Sequence, residues 1–122
     1  MGYKRIESAI HNLAHSFVSL MNWIDGEYII DILPVVLHGI PDQQLKIQFP
    51  NGHVVPPGAY PERLMKSVGY YVQWYPDHMR REGVDPTMIR RAEIIIYVDR
   101  HELRCRAEAE DDRGKYYRIE VQ

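Results

Sequence analysis

The sequence predicts an α+β fold in which residues 1–122 form one domain, with helices on one face of a largely antiparallel sheet. Three observations lead to this prediction. The C-terminal part contains three strand-like segments separated by short polar breaks, which is typical of a β-meander. The N-terminal part repeats apolar residues with a helical period. Between them, Asn51-Gly52 follows an alternating apolar segment and is a strong signal for a hairpin turn.

The predicted meander has three segments. It opens with the apolar run 94–98, continues with the alternating residues 103–110 and ends with the alternating residues 116–121. Directly opposed residues on neighbouring strands share a face, so only alternate registers are possible for the last two segments. Shifting the favoured register by two residues either way opposes like charges, which is unfavourable. The register that remains pairs Ala107 with Ile119, Glu108 with Arg118 and Arg106 with Glu120. We interpret the Arg/Glu side as a solvated sheet face.

Residues 3–24 are predicted to form a long helix. Its apolar residues recur at alternating spacings of four and three and form one stripe, namely Ile6, Ile10, Leu13, Phe17, Leu20 and Ile24. We expect this stripe to pack on the sheet, although the spacing would also suit a coiled-coil seam. Asp25-Gly26 is predicted to end the helix, because glycine tolerates the left-handed cap conformation.

Two further strands are predicted before the central helix. Residues 28–37 are rich in β-branched side chains, and Pro34 indicates an edge strand or a bulged one because proline cannot donate to a ladder. Residues 45–49 alternate, and Val54-Val55 would form a short return arm after the Asn51-Gly52 turn.

A central helix is predicted over 61–75, ended by Pro76. Its segment 68–75 is also rich in strand formers, so a strand there is the alternative. Asp85-Pro86 is predicted to cap a short helix that runs through Arg91. The complete predicted order is α-β-β-β-α-α-β-β-β.

Composition excludes several classes of function. The chain is 45% apolar and 26% charged, which is ordinary for a globular domain, and its net charge of −2 gives no general attraction to nucleic acids or anionic membranes. Cys105, the single cysteine, cannot form an internal disulfide. Neither a signal segment nor a membrane-spanning run is evident. We therefore expect a soluble, cytoplasmic protein that does not bind membranes and for which nucleic acid is an unlikely partner.

The sequence contains no trusted catalytic or cofactor motif: it has no Gly-rich phosphate loop, nucleophile elbow or Cys-x-x-Cys. His11 and His15 lie one helical turn apart, but two imidazoles on a solvated face are fewer than the three or four ligands of zinc sites. Cys105 alternates inward with apolar neighbours and is interpreted as a core residue. We expect no catalytic residue, no metal and no cofactor.

The most informative site candidates are aromatic. On a helix over 61–75, Tyr70 and Trp74 lie one turn apart on the side opposite the apolar core positions, close to Arg63 and Lys66. Aromatic residues with basic neighbours are typical of interaction hot spots. They predict a protein-interaction module, an adaptor, regulator or inhibitor-like protein, that binds another protein or itself as a homo-oligomer. The competing interpretation is that another part of the same chain covers Tyr70 and Trp74.

A small enzyme or ligand-binding domain is the alternative function. Asp31 interrupts an apolar run, and a buried carboxylate there would have a raised pKa suited to acid–base chemistry. Together with a histidine such as His38, it could supply the polar groups of a pocket between the helices and the sheet.

Overall fold

A computed structural model describes residues 2–18, 24, 26–33, 37–38, 45–60 and 62–121. These residues contain two α-helices and five strands: α1 (Ile6–Val18), β1 (Tyr28–Asp31), β2 (Lys46–Gln48), α2 (Glu62–Arg81), β3 (Ile89–Asp99), β4 (Glu102–Asp111) and β5 (Tyr116–Val121). Single 3₁₀ turns lie at Gly2–Arg5, Pro57–Ala59 and Pro86–Met88.

The five strands form one antiparallel sheet in the order β2-β1-β3-β4-β5. This arrangement confirms the predicted α+β class, and β3, β4 and β5 are the predicted meander. Along these strands every second side chain is buried, and the side chains between them are half-buried or exposed. The sheet therefore buries one face and leaves the other open.

Both helices contribute to the core on the buried face. The stripe of α1 contacts β4 and β5, which confirms that it packs on the sheet. Its fully buried residues are Ile6, Ile10, Leu13, Ala14 and Phe17. From α2 the core receives Leu64, Val68, Tyr75 and Met79. Sheet residues in the same cluster include Ile30, Ile94, Ile96, Cys105 and Ala107.

The predicted register of the last hairpin is confirmed, with Ala107 opposite Ile119, Glu108 opposite Arg118 and Arg106 opposite Glu120. The ion pairs themselves, however, close along the strands. Arg106 Nε lies 2.8 Å from Glu108 Oε2, and Arg118 Nη2 lies 3.2 Å from Glu120 Oε1. Residues two apart on a strand share a face and stand about 7 Å apart, which is within reach of these long side chains.

The first turn of the predicted N-terminal helix is a 3₁₀ turn, Gly2–Arg5, and the described part of the α-helix spans Ile6–Val18. Ile24 lies outside the helix, although only 5% of its surface is exposed, so it joins the core from the segment that follows. Residues 19–23 and Asp25, where the predicted helix end falls, lie outside the described residues.

The strand predicted over 28–37 was too long, and its edge position was wrong. β1 ends at Asp31 and lies inside the sheet, between β2 and β3. The Leu33 N–H donates to Asp31 Oδ1 at 3.0 Å, and the amides of Leu37 and His38 bond to carbonyls five residues back. These hydrogen bonds take the backbone out of the ladder. Pro34 lies outside the described residues.

The Asn51-Gly52 turn is present, with Gly52 at φ +89° and its N–H donated to the Phe49 carbonyl at 2.9 Å. The return arm is reduced to one bridge that pairs Gln48 with Val54. In place of the predicted third strand, the chain after the turn therefore makes a single bridge along the outer side of β2.

The segment 68–75 is helical, as favoured, but the prediction that Pro76 ends the helix was wrong. α2 continues through Pro76 to Arg81. An interior proline costs about 3 kcal/mol because it removes a hydrogen bond and crowds the preceding turn. Burial of Met79, one turn later and only 1% exposed, contributes about 1.5–3 kcal/mol and offsets much of that cost.

The helix predicted after Asp85 is a single 3₁₀ turn. Asp85 caps it as predicted, since its Oδ1 accepts from the Thr87 N–H at 3.0 Å. β3 begins at Ile89, so Arg90 and Arg91 lie on a strand, not on a helix. The β-branched residues that follow favour a strand, and this strand extends toward the N-terminus to include Arg90 and Arg91.

A buried carboxylate holds the β4–β5 turn. Asp111 is fully buried and accepts from the amides of Arg113 and Lys115 at 2.9 and 3.0 Å, and from the Tyr117 hydroxyl at 2.9 Å. The two amides donate to Oδ1 of Asp111, whereas the Tyr117 hydroxyl and the Arg113 guanidinium, the latter at 2.8 Å, donate to Oδ2. The guanidinium carbon also lies 3.6 Å from the centroid of the Tyr3 ring. Tyr3 in turn donates to Asp112 at 2.6 Å. The network joins the N-terminus to the hairpin.

We expect Phe17→Ala to lower the free energy of unfolding by about 3–5 kcal/mol, because it removes a fully buried ring from the apolar stripe of α1. His15→Ala, on the exposed side of the same helix, is the control and should change stability by less than about 0.5 kcal/mol. Chemical denaturation of the three proteins measures the difference. A loss below about 1 kcal/mol for Phe17→Ala would contradict the packing described above.

We expect Asp111 to make stability depend on acid pH. Burial opposes its ionisation, but hydrogen bonds from Arg113, Lys115 and Tyr117 outweigh burial and hold its pKa well below the ordinary value. Its contribution is therefore complete above the unfolded-state pKa of about 3.9 and is lost as the pH falls below that value. Denaturation curves should show Asp111→Asn much less stable than wild type at pH 7. The gap should narrow below pH 4, and a constant gap would contradict this.

Candidate functional site

A groove runs between α1 and the C-terminal half of α2 and encloses about 170 Å³. Its floor is apolar and buried, formed by Ala9, Tyr75 and Met79. The Tyr75 hydroxyl donates to the Ala9 carbonyl at 3.1 Å, which ties the two helices together beneath the groove. The floor is therefore part of the buried core.

The rim of the groove is polar. α1 and the turn before it supply Arg5, Ser8 and Asn12, which are exposed, and α2 and its end supply the half-buried His78 and the exposed Glu82. Hydroxyl, amide, guanidinium, imidazole and carboxylate groups thus surround an apolar floor. This arrangement can bind an apolar group and hydrogen-bond the polar atoms around it.

Arg5 connects the two helices beside the groove. Its Nη1 donates to the Glu82 carbonyl at 3.2 Å, and its side chain passes Gly83. Gly83 has φ +87°, and a Cβ at this position would lie 3.4 Å from Arg5 Cδ. The turn after α2 therefore needs glycine for its backbone conformation, and a Cβ there would also contact the Arg5 side chain.

Trp74 lies next to the groove. Its ring centroid is 5.4 Å from that of His78, nearly perpendicular at 77°, and 5.5 Å from that of Tyr75. The indole is partly buried and packs against the core. Trp74, Tyr75 and His78 together form an aromatic cluster between the groove and the outer side of α2.

The other predicted interface residues occupy the N-terminal half of α2. Lys66 Nζ lies 3.6 Å from Glu62 Oε1, and both side chains are well exposed. Arg63 is also exposed, and the side chain of Tyr70 lies outside the described residues. Positions 63, 66, 70, 74 and 78 follow one helical spacing, so the predicted interface leads along α2 to the groove.

Sequence reasoning missed most of the groove residues. Arg5, Ser8, Asn12, His78 and Glu82 were not among the predicted site residues, and the predicted helix ended at Pro76, before His78 and Glu82. A helix that continued past Pro76 would have placed His78 one turn after Trp74. The missing signal was therefore the length of α2.

Asp31 and His38 do not line this groove. Asp31 is half-buried on the open face of the sheet, opposite Lys46 on β2 and Glu93 on β3. His38 Nε2 lies 3.2 Å from the Pro86 carbonyl. The two residues thus have separate neighbours, one on the sheet and one at the 3₁₀ turn before β3.

The remaining candidates have structural surroundings. His11 and His15 stack on the exposed side of α1 with ring centroids 6.4 Å apart, and the described residues contain no group of three His, Cys, Asp or Glu that could hold a metal ion. Burial raises the pKa of the Cys105 thiol to about 11, which keeps it protonated at neutral pH. Within the described ranges, no helix is long and apolar enough to cross a membrane.

The chain matches no family model, no curated protein and no solved structure. The geometry of the groove is accordingly the evidence from which function is inferred.

We expect Gly83→Ala to destabilise the protein by about 1 kcal/mol or more, because alanine is strained at φ +87° and its Cβ would press on Arg5. Gly114→Ala shares the positive φ but has no neighbour within 4 Å, so it separates backbone strain from crowding. Gly58→Ala has neither feature and should be nearly neutral. Thermal melts compare the three, and equal effects of Gly83→Ala and Gly58→Ala would contradict the expectation.

Proposed function

We propose that this chain is a non-enzymatic protein-interaction module that binds a protein partner through the α1–α2 groove and the adjoining aromatic cluster. The observation that carries the proposal is an apolar floor, Ala9, Tyr75 and Met79, inside a rim of exposed polar groups. Protein interfaces combine a desolvated apolar centre with a polar, wet border in the same way.

The size of the groove supports a protein partner over a small-molecule ligand. Pockets for drug-sized ligands and cofactors typically measure about 300–1,000 Å³, whereas this groove encloses about 170 Å³. It suits one apolar side chain whose backbone lies over the rim. Asn12 and Ser8 can then bond to main-chain groups of the partner.

The residue types around the groove support the same proposal. Trp, Tyr and Arg dominate the binding energy of protein interfaces, and Trp74, Tyr75 and Arg5 meet here. Two packed helices present them, so little conformational entropy is lost on binding. Tyr70, Arg63 and Lys66 extend the proposed contact along α2.

The alternative, a small enzyme or ligand-binding domain, receives less support. It requires Asp31 and His38 to converge, whereas Asp31 accepts a hydrogen bond from the Leu33 amide and His38 contacts the Pro86 carbonyl.

We further propose a cytoplasmic location, supported by a single buried cysteine that a reducing compartment would keep as a thiol.

A peptide-display selection against the purified protein tests the proposal. We expect the selected peptides to share one apolar anchor and to bind Ser8→Arg at least about tenfold more weakly, since the new side chain would obstruct the rim. His15→Arg is the matched control, because it adds the same side chain to an exposed position of α1 that does not line the groove.

Amide chemical shifts locate the bound peptide. We expect shift changes at Ser8, Ala9, Asn12 and His78, and weaker binding by Trp74→Ser with the fold retained in circular dichroism spectra. Peptides that bind both arginine variants equally well, or that shift only residues of the sheet, would refute the groove as the binding site.

A further inference from the structure

We propose that two copies of this chain associate through the free edge of β5, with the two β5 strands antiparallel and the sheet continuous across both copies. Ser8 lines both the α1–α2 groove and the groove beside this edge, but the backbone of β5 that would pair is not part of the α1–α2 groove. The interaction therefore goes beyond the proposed function and does not depend on it.

The two ends of the sheet differ. β2 is three residues long, and the bridge between Gln48 and Val54 occupies its outer side. β5 is six residues long, and within the described ranges its pairing partner is β4 alone. An edge of this length presents a row of backbone groups that can pair with another strand.

α1 runs beside this edge and leaves it accessible. An open groove of about 350 Å³ lies between α1 and β5. It is lined by Ile119 of β5 and, from α1 and the 3₁₀ turn before it, by Lys4, Glu7, Ser8 and His11. Tyr116, Arg118 and Glu120 are exposed on the other face of the same strand. A second strand can therefore approach β5 without displacing the helix.

The sequence of β5 is complementary to itself in one register. Opposed residues must share a face, and the symmetric pairings with the longest overlap, five residues of each β5 strand, centre on residue 118 or 119; centring on 117 or 120 pairs only three. Centring on Arg118 or on Glu120 opposes like charges at the two-fold axis. Centring on Ile119 opposes Arg118 of each copy to Glu120 of the other. This charge complementarity favours a second copy over an unrelated strand as the occupant.

The buried side of β5 agrees with the same register. Tyr117 then lies opposite Val121 of the other copy, an aromatic–β-branched pair of the kind that stabilises neighbouring strands. Tyr117, Ile119 and Val121 are 5%, 7% and 6% exposed, more than the inner strand residues Ile30 and Ile94 at 0%. The rule that selects this register also selects the observed pairing of β4 with β5.

Cysteine cross-linking between two variants tests the register. Arg118→Cys and Glu120→Cys are prepared separately and mixed under mild oxidation. Directly opposed residues lie about 4.5–5.5 Å apart between Cα atoms, within disulfide range, whereas a residue and its own symmetry mate would be about 7–8 Å apart. We expect at least about tenfold more covalent dimer in the mixture than with either variant alone. The native Cys105 is buried and adds no background.

Sedimentation of the wild-type protein gives an independent measurement that needs no cysteine variant, and Trp74→Ser is compared with it only where circular dichroism shows the variant to be folded. We expect a monomer–dimer equilibrium that Trp74→Ser leaves unchanged. A wild type that stays monomeric up to about 0.5 mM would overturn the proposal. Three other results would overturn it as well. The first is equal cross-linking of the single variants and the mixture, and the second is loss of the dimer in folded Trp74→Ser. The third is a strand peptide that binds β5 while the chain remains monomeric.

Discussion

Alternation of side chains along β3, β4 and β5 is the constraint on which the rest of the structure depends. It places most of the large apolar residues of the meander on one face, Ile94, Ile96 and Ile119 among them, and both helices pack there. The inward residues of β4 are small, namely Cys105, Ala107 and Ala109. Small side chains on the sheet leave room for the bulky stripe of α1, which includes Ile10, Leu13 and Phe17. The helices then meet each other above the sheet, and the groove forms where they meet.

The opposite face of the sheet satisfies its own charges. Arg-x-Glu occurs on three adjacent strands, and in each case the two residues form an ion pair along the strand. Two tyrosines add hydrogen bonds between strands on this face: the Tyr97 hydroxyl donates to Glu120 at 2.5 Å, and the Tyr116 hydroxyl donates to Glu108. Paired charges of this kind favour water on that face over a partner, so the groove and the β5 edge are the better candidates for binding.

Contacts between the two ends of the chain shape the groove. Tyr3 bonds to Asp112 across 109 residues, and Arg5, two residues later, reaches the end of α2 at Glu82. The 3₁₀ turn that carries both residues precedes α1 directly. The buried network of Asp111 therefore stabilises the start of α1 and, through it, one wall of the groove.

The sequence by itself determined the fold class, the strands of the meander and the pairing of Glu108 with Arg118, because periodicity and the charges of opposed neighbours are local properties. Only the tertiary structure decided that α2 continues past Pro76, that β1 lies inside the sheet and that His78 and Asn12 face one groove. Strand order and helix length depend on burial against residues far away in the chain. The free energy of that burial can offset the helix-breaking effect of a proline, and it cannot be predicted from a local sequence pattern.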